Sequence, residues 1–457
     1  MTRNQQPDLQ RKLGLFSLSN IVVANMVGAG IFVTSGLLMG SLNSTGLMLI
    51  LWIVAGIIAI CGAIAYGELG AAIPKAGGEY IFLSELFHPL LGFLSGWISF
   101  FVGFSAPVAA SAMGFSEYFT RAFPGLLSFA NDSGILSAGN FKTTTSILII
   151  LVFTFIHLRG IESSARVQNW LTVLKIVMVA SLILIGLAFG KGSLDHFSLP
   201  EKFYFSLSGW KSIGLSLMWI MFAYSGWNAS TYIGSEIKNP VKNIPNSLLI
   251  GTGIVILLYI GLNTFFIYAI PPEEMKGVIS VGGLSVNYAF GKNMDVLFSM
   301  LISFALFSSL SAYLILGPRV TYSMASNGYF FKSIARINPV TKVPSLAILL
   351  QAVISIIMVL SGTFDQILTY LGFSLGIFPI LAVAGVFKLR ITGKSKIKLP
   401  GYPFAHIFFI SSSLLILILA YSERPVESSI AIATIVAGIP FFYLLKSRNV
   451  AHPMQKH

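Results

Sequence analysis

Asn25-Met26-Val27-Gly28-Ala29-Gly30-Ile31-Phe32 lies inside a stretch that carries no charged residue between Lys12 and Glu68. Gly28 falls twelve residues after Phe16, about 18 Å along a helix rising roughly 1.5 Å per residue. That depth is near the middle of a hydrocarbon core about 30 Å thick. Two glycines around an alanine remove side-chain bulk and tolerate non-helical dihedrals. Small residues at this depth serve one of two purposes. They let membrane helices pack closely, or they let the helix unwind and free amide N–H groups at the start of its second half. Such a half-helix N-terminus carries partial positive charge suited to a carboxylate.

The rest of the uncharged stretch fits a helical hairpin, since it is long enough for two spans of about 20 residues and is divided by the polar break Ser41-Leu42-Asn43-Ser44-Thr45-Gly46. The whole chain follows suit. Of 457 residues, 55% are hydrophobic and only 10% charged, and the mean hydropathy is +0.83. Soluble domains carry about 25% charged residues, so a soluble fold is excluded. The polar N-terminus and the long first apolar run do not fit a cleavable signal peptide. The one cysteine, Cys61, lies inside the second apolar run, so neither an intrachain disulfide nor a disulfide-linked subunit is expected.

Apolar runs between charged or Pro/Gly breaks number twelve, from 15–39 to 428–445. With the N-terminus in the cytoplasm, twenty-one of the 29 Lys and Arg residues fall on the inner side. This is the positive-inside bias expected of twelve spans with both termini cytoplasmic. The net charge of +13 therefore reflects topology and does not point to nucleic acid. The expected fold class is all-α integral membrane, in the cell membrane.

The sixth run, 212–235, holds Phe222-Ala223-Tyr224-Ser225-Gly226-Trp227-Asn228 near its centre and crosses in the direction opposite to the first. Its outer half is expected to end at mid-membrane in free carbonyls, a negative dipole end suited to an ammonium group. Two antiparallel interrupted helices, one per half, present opposite dipole ends at one depth. That arrangement matches the two charges of an α-amino acid and is characteristic of inverted-repeat transporters.

Further pieces carry a family resemblance. They are Gly28-Ala29-Gly30-Ile31-Phe32, Glu68-Leu69-Gly70, Pro74-Lys75-Ala76-Gly77-Gly78-Glu79-Tyr80, Gly96-Trp97, the sixth-run segment, Glu236-Ile237-Lys238-Asn239-Pro240, Pro318-Arg319 and Asn327-Gly328. In this order, covering nearly the whole chain, the set resembles the amino acid–polyamine–organocation superfamily, nearest its L-type and cationic amino acid transporter branches. The resemblance implies a five-plus-five inverted repeat with broken helices 1 and 6. The repeats would be 15–189 and 190–387, followed by two peripheral helices in 388–445, with cytoplasmic tails 1–14 and 446–457.

The resemblance also implies a substrate site formed by Gly28, Ala29, Gly30 and Ile31 with Phe222, Ala223, Tyr224, Ser225 and Gly226. Backbone of the glycine segment would take the carboxylate and carbonyls of Phe222, Ala223 and Ser225 the amino group. Phe222 would act as a lid and Glu236 in gating. Ala29 stands where many relatives have serine, and Ser225 where aspartate or glycine is common.

Lys175 lies about 9 Å into the fifth run. A lysine there either snorkels to the interface or acts inside the membrane. The resemblance places it where sodium-coupled relatives hold a cation, with the first-span carbonyls and Ser308 or Ser309 as its contacts. Sodium would then be unnecessary, leaving exchange or proton symport.

Other classes are less well supported. Gly186-Leu187-Ala188-Phe189-Gly190-Lys191 has three residues between its glycines where a P-loop needs four, and no catalytic cluster lies in the spans, so neither pump nor enzyme is expected. No cofactor or metal is expected either; His88 and His157 are isolated. A channel, or a facilitator of related organic cations, is the alternative, because mid-membrane glycines also line pores. No acidic residue lies centrally in the first or sixth run, which points to small neutral substrates.

Overall fold

The computed structural model describes residues 9–132, 137–199, 206–278, 281–291, 294–361 and 373–450. The expected tails therefore lie partly outside the described residues, at 1–8 and 451–457, as does the start of the tenth expected run, at 367–372. Among the described residues there is no β-strand, only two isolated bridges, Leu13 with Ile237 and Ala76 with Ile233.

The principal helices, in chain order, are α1 Leu15–Met26, α2 Ala29–Leu42, α3 Thr45–Ala72, α4 Glu79–Leu86, α5 Pro89–Ala122, α6 Ala138–Leu158, α7 Ile161–Phe189, α8 Leu207–Ala223, α9 Pro240–Ala269, α10 Asp295–Ser326, α11 Ser345–Ser361, α12 Ile377–Ile391, α13 Phe404–Glu423 and α14 Pro425–Val450. Eight of them, α3, α5, α6, α7, α9, α10, α13 and α14, are long and apolar enough to cross a membrane. A backbone in lipid must satisfy its own hydrogen bonds, which helices do. Leu184, Leu257 and Ile418 are largely exposed, as side chains that face lipid are. Eight such helices are what a chain that crosses a membrane many times requires.

The interior is formed by α1, α3, α5, α9 and α10. Helix α9 runs against α3 and α1, and α10 against α5 and α7. Two buried ion pairs fasten helix ends. Glu236 takes Arg319 through both carboxylate oxygens, at 2.8 and 3.2 Å, and Glu68 pairs with Arg390 while accepting from the Leu399 amide at 2.9 Å. Arg319 and Glu236 are almost wholly buried. Breaking a buried pair strands a charge, so these contacts hold α10 and α12 in one register with the segments they bind.

The first expected run is two helices, of 12 and 14 residues. Neither alone spans a hydrocarbon core of about 30 Å. The sixth run corrects the expectation. Its α-helix ends at Ala223, and Ala229–Tyr232 and Gly234–Glu236 are short 3-10 turns. No second α-helical half follows before α9. Pro240 opens α9 immediately afterwards, and Gly226 at φ +102° turns the chain in the left-handed region that L side chains avoid.

Candidate functional site

The first interruption is two residues wide. Val27 (φ −77°, ψ 86°) and Gly28 (φ −117°, ψ −156°) leave the helical region. A helix end leaves its last four carbonyls without intrahelical donors, and in an apolar interior each must find one.

The accounting here is complete. Val23 O accepts from the Val27 amide at 2.9 Å. Ala24 O accepts from Lys175 Nζ at 3.4 Å. Asn25 O accepts from Tyr313 Oη at 3.0 Å, and Met26 O from Tyr259 Oη at 2.7 Å. Val27 O accepts from Lys175 Nζ at 2.5 Å and from Ser309 Oγ at 2.7 Å. Donors from α7, α9 and α10 thus hold the end of α1 open.

Lys175 is buried, 1% exposed. Its ammonium also donates to Ser309 Oγ at 2.9 Å, so its bonds point inward and it does not snorkel to an interface. Positive charge here meets the negative end of the α1 dipole. Ser308, the other serine expected beside it, faces Gln168 and Thr172 at 3.1 Å. Of the two, only Ser309 touches the ammonium.

The two interruptions meet. A Cβ on Gly30 would lie 3.0 Å from Ala223 Cα and 3.5 Å from the Phe222 ring. The α2 N-terminus therefore abuts the α8 C-terminus, and the missing Cβ of Gly30 eases the approach. Tyr259 Oη joins them, its single proton shared between Met26 O at 2.7 Å and Ala223 O at 2.9 Å. On the second segment, a Cβ on Gly226 would overlap Asn25 Nδ2 at 2.2 Å.

The carbonyls expected to be free are in part engaged. Phe222 O accepts from the Ser225 amide at 2.9 Å, and Ala223 O from Tyr259. The cause is the tight turn after Ala223, which folds the chain back on its own carbonyls. At the first interruption the Gly28 amide bonds Met26 O at 2.9 Å. The amides that open α2 have no intrahelical acceptor.

A cavity opens beside this junction. Asn25, Phe222, Ser225 and Gly226 border it. Gly28 to Ile31, Ala223 and Tyr224 do not. Ile31 is buried in the core, and Tyr224 is buried with its hydroxyl on Trp52 O at 3.2 Å. Glu236 is committed to Arg319, away from the cavity lining.

Sequence reasoning missed Tyr259 and Tyr313 as the donors to the broken helix, and Glu79 as a wall of the cavity. The signal was present for the tyrosines, since a buried tyrosine in an apolar span needs a partner for its hydroxyl.

The chain is similar to known proteins along nearly its whole length. The amino acid permease family model matches residues 13–443. The chain is 29% identical over 450 residues to the large neutral amino acids transporter small subunit 2 of Homo sapiens, covering 95% of this chain and 80% of that protein. It is 27% identical over 470 residues to the b(0,+)-type amino acid transporter 1 of Mus musculus, covering 100% and 93%. It is 27% identical over 452 residues to the serine/threonine exchanger SteT of Bacillus subtilis (strain 168), covering 97% and 98%.

Proposed function

The chain belongs to the amino acid permease family, within the amino acid–polyamine–organocation superfamily, and we propose that it is a sodium-independent secondary transporter that binds its amino acid where the two interrupted helices meet. The carrying observation is the approach of Gly30 to Ala223. It sets the positive N-terminal end of α2 beside the negative C-terminal end of α8. A zwitterion fits that pair of dipole ends without any charged side chain. The opening amides of α2, from Ala29, Gly30 and Ile31, take the carboxylate. The second lone pair of a carbonyl at the end of α8, or the carbonyl of Ser225, takes the ammonium. Phe222, which borders the cavity beside Ser225, closes over the substrate.

Lys175 supports the absence of a sodium requirement. Its ammonium already occupies the carbonyl end of α1, the negative pole a monovalent cation would seek. The remaining couplings are exchange and proton symport. Alternating access then follows from two five-helix repeats, 15–189 and 190–387, rocking about the junction. Twelve spans, cytoplasmic termini and location in the cell membrane complete the reading, with the buried Glu236–Arg319 pair as part of the inner gate. With Cys61 buried in α3 as the only cysteine in the chain, no partner subunit is attached through a disulfide.

The test is counterflow in proteoliposomes. Vesicles preloaded with unlabelled amino acid and given a panel of labelled amino acids should accumulate label with choline in place of sodium. Uptake that requires sodium, or that does not saturate, would defeat the reading.

A further inference from the structure

Among the described residues, the cavity is bordered by one carboxylate, Glu79 at the first residue of α4, and by no lysine, arginine or histidine. Glu79 is buried, and its oxygens accept three side-chain donors: Tyr66 Oη at 2.7 Å, Asn228 Nδ2 at 2.8 Å and Ser95 Oγ at 3.5 Å. The Asn228 amide also donates to Tyr232 Oη at 3.1 Å. Both N–H bonds of that amide are thereby used, one on each partner. Only its carbonyl oxygen is left for anything that enters the cavity. In its ionised form Glu79 only accepts and offers no donor to that oxygen, so the carboxylate forbids the flipped amide, which would set oxygen against oxygen.

Asn228 stands three residues after Ser225, on the turn that follows the α8 terminus. Ser225 and Asn228 both border the cavity, so a substrate whose amino group sits at Ser225 shares its enclosure with this amide.

We propose that Glu79 is a positioning residue that fixes the Asn228 carbonyl toward the cavity, so that the transporter selects amino acids whose side chain ends in a hydrogen-bond donor, hydroxyl first, over hydrocarbon side chains of the same shape. This deepens the function proposed above and rests on it. Threonine and valine are the matched pair, differing in a hydroxyl for a methyl. With the oxygen aimed inward and shielded from bulk water, valine buries an acceptor with no donor, while threonine satisfies it. A neutral glutamine at position 79 removes the constraint, because its amide donates or accepts and lets Asn228 turn over.

The experiment measures inhibition of counterflow by threonine and by valine in proteoliposomes of the whole chain. Wild type should prefer threonine by about tenfold or more. Glu79→Gln should bring the ratio toward one, mainly through weaker threonine binding, and Glu79→Asp should restore part of it. If Glu79→Gln abolishes transport, the same ratio is read from ligand-induced thermal shifts of the purified variant, which need no turnover. Equal inhibition by the pair in wild type overturns the proposal, as does a Glu79→Gln variant that loses affinity for both while keeping the ratio. Absence of counterflow for every amino acid would instead overturn the transport function itself.

Discussion

Lys175 shows how one residue sets the chemistry of the site. An ammonium buried among apolar helices is costly unless its protons are all bonded. Here it has Val27 O, Ala24 O and Ser309 Oγ, with no carboxylate among these contacts. The α1 dipole supplies the negative counterpart. Lys175→Ala should lower turnover at least about tenfold, because it leaves the carbonyls of α1 partly unpaired in a low-dielectric site. Counterflow rates at matched protein density check this, with size-exclusion behaviour as the control for folding. Wild-type turnover in a well-folded Lys175→Ala protein would contradict the role. The sequence left this lysine between snorkelling and function, since depth along a helix says nothing of direction. Only the bonds to α1 and α10 decide it.

At the scale of elements, the interruption of the first run was legible and that of the sixth only in part. Gly28 and Gly30 mark the first break, because glycine tolerates non-helical backbone and, at Gly30, leaves room for the Ala223 backbone. The sixth run reads as continuous polar and apolar helix on both sides of Ser225. Its short turns after Ala223 are fixed by the left-handed Gly226 and by Pro240, features that a hydropathy reading passes over. Donors such as Tyr259 were illegible for another reason. A hydroxyl in an apolar run requires a partner, but the sequence does not name which distant carbonyl it meets. Tyr259 bridges α1 and α8 by bonding Met26 O and Ala223 O. Tyr259→Phe keeps the ring and removes that bridge. It should cost about 1–3 kcal/mol of stability, the desolvation penalty of stranding a buried acceptor. It should also slow counterflow more than Tyr313→Phe, whose hydroxyl bonds a single carbonyl, Asn25 O. Unfolding in detergent and initial rates of the two variants check both, and equal rates would remove the bridging role.

For the whole molecule, composition and the spacing of apolar runs made the membrane class plain, while the site emerged only from packing. Gly28 to Ile31 and Phe222 to Gly226 lie nearly two hundred residues apart, and α9 and α10 bring them together through side chains outside both motifs. The cavity is bordered by Asn25, Ser225 and Asn228, with the first-helix glycines outside its lining. What the proposed site offers a ligand is a pair of opposed peptide dipoles, and that proposal has a direct measurement. Counterflow of a transported amino acid is challenged with the same amino acid, with its α-carboxamide and with its N-acetyl derivative. Recognition of both charged ends predicts strong inhibition by the free amino acid and at least about hundredfold weaker inhibition by each blocked form, since charge-assisted bonds are lost at a buried site. Comparable inhibition by either blocked form would contradict it.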